Sequence, residues 1–98
     1  MTHSHAVDHV RSAAFALCGD AGLAPRLEHA HLHLAAVDRS DVPASLSARL
    51  DELIADLGYG GDTVRQALAR MNTSDMDHLA RRIVSLYGDL CRQLPAED

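Results

Sequence analysis

Leu46, Leu50, Leu53, Ile54 and Leu57 recur in steps of three and four, which puts them on one face of a helix. Arg49, Asp51, Glu52 and Asp56 fall on the opposite side. The same rhythm runs through Val7, Val10, Ala14, Leu17 and Ala21, and again through Leu27, Ala30, Leu34 and Val37. Val64, Ala67, Leu68 and Met71 carry it further, as do Met76, Leu79, Ile83, Leu86 and Leu90. Hydrophobic residues make up 47% of the chain but aromatic ones only 3%, so the apolar content is mostly Ala and Leu. Both are strong helix formers, and β-branched residues are sparse. The pattern predicts an all-α fold. Ninety-eight residues suffice for one domain, 1–98.

The stop and start signals divide the chain into an antiparallel bundle of four to five helices, at about 4–21, 25–38, 42–57, 63–71 and 75–94. Ser4 is the expected cap of the first helix, which Phe15 and Cys18 widen on its apolar side and Gly19 or Gly22 stops. Pro25 suits the first turn of the second, where Leu32, Ala35 and Ala36 broaden the apolar face. Asp41 is the expected cap of the third, and Gly58 its left-handed C′ residue, with Tyr59 packing back. Asp62 is placed to cap the fourth. The five-residue step from Met71 to Met76 breaks the rhythm at Asn72-Thr73-Ser74, where Ser74 and Asp77 resemble a capping box. Two helices are read there, with one kinked helix as the alternative.

The run 57–71, LGYGGDTVRQALARM, resembles the helix-turn-helix of gluconate-repressor-type transcription regulators. Leu57, Gly58, Tyr59, Thr63, Val64, Arg65, Ala67 and Leu68 match that pattern. The resemblance implies a DNA-binding regulator using residues 46–71, with Arg65, Gln66 and Arg70 as contacts in the major groove. Three departures stand against it. Ile54 occupies the position where the family has a small residue, Gly60 replaces the usual turn Ser, and no wing hairpin follows Met71. The charge points the same way. The formal net charge is −5, all nine basic residues are Arg, and an acidic chain is a poor default for nucleic acid or anionic membranes.

Seven histidines are an excess for this length. His5 and His9 are four apart, as are His29 and His33. That spacing puts each pair on one helical face, and a hairpin near residues 19–24 brings His9 level with His33. A two-helix site for Zn²⁺ or Ni²⁺ is the metal-binding reading, with Asp8 or Glu28 as an oxygen partner. Against it, His9 and His29 lie off the apolar stripes, and no HExxH or di-iron Glu-x-x-His pattern occurs.

Cys18 and Cys91 form no CxxC or zinc pattern. They lie at one pole of the bundle if the last two helices are antiparallel, and at opposite poles if those helices are one kinked helix. Ser40, Ser45, Ser74 and Cys91 have no neighbouring base in sequence, so no catalytic residue, cofactor or small-molecule substrate is assigned. The charge-free run 12–19 is too short for a signal peptide, and nothing approaches a membrane span, so the expected compartment is the cytoplasm. Gly88, inside a strong helical pattern, suggests close approach of another helix or a dimer contact near residues 87–91. The leading expectation is a non-enzymatic bundle acting through a protein partner or self-association, as an adaptor, small chaperone or regulatory subunit. Arg65, Gln66 and Arg70 are its candidate contact residues.

Overall fold

The structure, a computed structural model, describes residues 2–93, with side chains from residue 5. Five α-helices follow one another: α1 (Thr2–Ala16), α2 (Leu23–Ala35), α3 (Ala44–Leu57), α4 (Val64–Ala69) and α5 (Thr73–Gln93). One 3₁₀ turn, Arg39–Asp41, links α2 to α3. The all-α bundle read from the periodicity is what forms. The break at residues 70–72 separates α4 from α5, so these are two helices. Leu94, Pro95 and the acidic tail lie outside the described residues, as does the expected side-chain role of Ser4, whose backbone is inside α1.

α2 runs through the middle and touches α1, α3, α4 and α5, while α5 packs on both α1 and α3. The antiparallel register of α3 against α5 is written in two ion pairs. Arg49 Nη1 meets Asp89 Oδ2 at 2.5 Å, and Arg82 Nη1 meets Asp56 Oδ2 at 2.7 Å. Each partner has moved seven residues, two turns, in opposite chain directions. The guanidiniums of Arg49 and then Arg92 hold the Asp89 carboxyl below its ordinary value. Leu27, Leu34, Leu46, Leu50, Leu57, Ile83 and Leu90 are fully buried between the helices. Each contributes roughly 1.5–3 kcal/mol by leaving water. The core has no aromatic ring among the described residues.

Several helix ends differ from expectation, each for a local reason. α1 stops at Ala16 rather than Ala21, because the amides of Leu17, Cys18 and Gly19 reach back three residues instead of four. Arg26 Nη1 then donates to the Leu17 carbonyl at 2.5 Å, closing the corner. α2 begins two residues before Pro25 and ends at Ala35 rather than near 38. There Asp38 accepts from the Ser40 amide (3.0 Å) and hydroxyl (2.8 Å), a turn that competes with helix. Those two bonds also lower the Asp38 pKa. Asp41 does not cap α3: it sits in the 3₁₀ turn at 8% exposure, and Pro43 holds the N-cap position. Thr63, not Asp62, caps α4, and Asn72, not Ser74, caps α5 through its Oδ1 and the Asp75 amide at 2.7 Å.

The buried faces of α1 and α2 are narrower than the sequence pattern predicts. Phe15 and Leu32 are each 65% exposed, and Cys18, Ala35 and Ala36 are exposed too. Phe15 points away from Val10, Ala13 and Leu17, and Leu32 away from Leu27, Ala30 and Leu34, so each helix buries a narrower face than its apolar content allows. Among the described residues, no helix is long and apolar enough to cross a membrane.

Candidate functional site

The corner between α3 and α4 depends on two glycines, and neither is the one expected. Gly58 has φ −103°, ordinary right-handed backbone, and is the C-cap of α3. Gly60 takes the positive φ, +87°, the only positive value among the described residues. Gly61 is needed for space. A Cβ there would stand 2.6 Å from the Ala67 amide nitrogen and 3.0 Å from the Gln66 Cβ. The glycine corner thus lets the chain pass directly over the first turn of α4.

That first turn is a reciprocal cap. The Thr63 hydroxyl accepts from the Gln66 amide at 3.1 Å, and the Gln66 side-chain carbonyl accepts from the Asp62 amide at 2.9 Å. Arg70, at the C-cap, donates to the Gly60 carbonyl. Arg65 reaches across to Glu28 of α2 at 3.3 Å. Gln66, Arg70 and Arg65 are all exposed, and each already has a partner inside the chain. α4 itself is six residues long and leans on α2 more than on α3.

Tyr59 does not pack back on α3. It is 81% exposed, between Gly58 and Gly60. It forms the lip of an open cleft of about 640 Å³ at the junction of α3, α4 and α5. Ala67, Met71 and Leu79 supply the apolar lining. The Asp56–Arg82 ion pair, Arg70, Ser74, Asp75 and His78 supply the polar part. A volume of this order, lined by apolar and polar groups together, can take a small molecule or a partner's side chain. Arg70 is legible from its motif position, whereas the helical periodicity does not mark Tyr59, His78 and Leu79 as neighbours of a cleft. The available signal was an aromatic residue set among three glycines, a position with nothing beside it in sequence to cover the ring.

The histidines are spread more widely. His5 and His29 are exposed, while His9 and His33 are half-buried on α1 and α2. Among the described residues, no three of His, Cys, Asp or Glu stand close enough together to hold a metal ion. His31, half-buried on α2, has its pKa lowered by burial. Cys18 and Cys91 are free and exposed. A Cβ added at Gly88 would meet nothing of its own chain but the Arg92 guanidinium, at 3.6 Å, so no helix of the bundle approaches it closely.

The class defined by the fold and the cleft is a small all-α bundle with one open corner. No family model, no curated protein and no solved structure matches the chain.

Proposed function

We propose that this chain is a non-enzymatic protein-interaction module, and that the cleft at the α3–α4–α5 corner is where it receives its partner. One observation carries the reading: Tyr59 stands 81% exposed at the lip of a cleft into which Met71 and Leu79 bring apolar surface. An aromatic side chain with free area is the kind of group that anchors protein interfaces. A partner side chain entering between Tyr59, Met71 and Leu79 removes apolar surface from water on both sides. The Asp56–Arg82 pair and Asp75 at the rim give the contact its orientation.

The DNA-binding reading draws less from the same geometry. A recognition helix needs side chains free to meet base edges. Gln66 is spent on the cap of α4, the helix is only six residues long and the chain carries −5; the exposed bonds of Arg65 and Arg70 are weak and do not decide the matter. The metal-binding reading would need ligands that are not gathered among the described residues.

The test compares two exposed apolar residues of different setting. Tyr59→Ser removes the lip of the cleft, and Leu32→Ser removes an isolated exposed side chain on α2. Tagged wild-type protein, expressed in its host, is expected to retain a specific partner that Tyr59→Ser loses and Leu32→Ser keeps. Equal retention by both variants would remove the cleft from the account. A salt-sensitive shift of host DNA that Arg65→Ala abolishes would favour the regulator instead.

A further inference from the structure

The outward face of α5 is a different surface from the cleft. Asp77, Arg81, Val84, Gly88 and Cys91 follow one another at steps of four and three, so they form one stripe opposite Leu79, Ile83, Leu86 and Leu90. Val84 is 53% exposed there. It borders a shallow apolar groove of about 380 Å³ that Leu17, Ala80 and Ser85 also line. Gly88 puts no side chain on the stripe and has no packing reason for lacking one; the space above it holds only the Arg92 guanidinium, 3.6 Å from where a Cβ would stand.

We propose that this stripe is a self-association surface on which α5 of a second copy packs antiparallel. The charge pattern selects a second copy. The chain as a whole carries −5, so identical molecules repel over most of their surface. The α5 stripe escapes this, because it has an acid, Asp77, at one end and a base, Arg92, beside the other. Two such helices crossing antiparallel near Val84 and Ser85 set Asp77 of each copy level with Arg92 of the other. The same register lays Arg81 over Gly88, where its aliphatic stem takes the space that the Arg92 guanidinium leaves as it turns to Asp77 of the other copy. Val84 of each copy then sits at the crossing, against the other's apolar groove. In the monomer Arg81 pairs with Asp77, and Arg92 with Asp89, within one helix. Exposed pairs of that kind are weak and are given up at little cost. A twofold arrangement is the commonest form of self-association, and it uses one patch twice.

Sedimentation equilibrium of the full chain, from micromolar to millimolar concentration, tests this. The wild type is expected to dimerise. Asp77→Arg and Arg92→Asp should each weaken the dimer about tenfold, since both symmetry-related contacts turn repulsive. The double variant Asp77→Arg/Arg92→Asp should recover most of the loss, and Val84→Glu should abolish association. Far-ultraviolet circular dichroism checks that each variant stays helical; the charge variants and Val84→Glu probe different residues, so a variant that fails to fold leaves the others to decide. A wild type that is monomeric throughout would overturn the proposal. So would a dimer that none of the variants disturbs, or a double swap no better than the single ones. The cleft is not part of this surface, so either reading can fail without the other.

Discussion

The two glycine corners of this bundle look alike in sequence and are built differently. Gly19 and Gly22 flank the turn from α1 to α2, and Gly58, Gly60 and Gly61 make the turn from α3 to α4. In both, an arginine from beyond the turn folds back onto a turn carbonyl: Arg26 onto Leu17, Arg70 onto Gly60. At the first corner no glycine is required. Neither has a positive φ, and a Cβ at Gly19 would meet the Ala16 carbonyl at an ordinary 3.6 Å. At the second, Gly60 is fixed by its dihedral and Gly61 by the α4 backbone. The first corner is closed by a half-buried guanidinium; the second stays open and displays Tyr59. A glycine can mean only that a helix ends, or it can mean that the chain has no alternative, and only the second kind shapes a site.

Substitutions at the glycines should separate the two corners cleanly. Gly61→Ala has the largest expected effect, because backbone cannot yield as a side chain does. A loss of about 3 kcal/mol is expected, lowering the melting temperature by more than about 10 °C. Gly60→Ala should cost about 1–2 kcal/mol from the left-handed backbone alone. Gly19→Ala should be neutral or stabilise by up to about 1 kcal/mol, since it only restricts the unfolded chain. If thermal melts ranked Gly19→Ala with Gly61→Ala, the comparison would fail.

The arginines give a second, smaller contrast. Arg26→Met should cost about 1 kcal/mol, for its half-buried bond to Leu17 satisfies a carbonyl at the end of α1. Arg70→Met should cost less than about 0.5 kcal/mol, because its bond is exposed to solvent. Urea unfolding of the pair reads the difference.

The smallest effect concerns pH. Burial lowers the His31 pKa below its ordinary value, so the folded chain takes up that proton less readily than the unfolded one. The resulting stability is present above about pH 6.5 and is lost as the pH falls through the lowered value. His31→Gln should flatten that part of a stability-against-pH curve.

How much of this was legible beforehand depends on how far apart the interacting residues are. The stripe 46–57 announced α3 to its last residue, and the five-residue step after Met71 announced the break before α5. Both are local periodicities. The Asp77–Arg81 pair, one turn apart, was legible for the same reason. Arg49–Asp89 and Asp56–Arg82 were not, because they depend on the register of two helices distant in sequence. Leu32 and Phe15 sat at the margins of stripes whose width only the packing decides. At the site, Arg70 was named from its motif position, whereas Tyr59 was assigned to the wrong side. The choice among Gly58, Gly60 and Gly61 turns on where the α4 backbone passes, and no residue type encodes that.

The open corner is the contact face on which the proposed function depends. A photoreactive amino acid placed at Tyr59 in one version of the chain, and at Leu32 in another, tests it directly. Irradiation in the host is predicted to yield a discrete adduct from position 59 and none from position 32. Adducts from position 32 alone, or the same adducts from both, would contradict it.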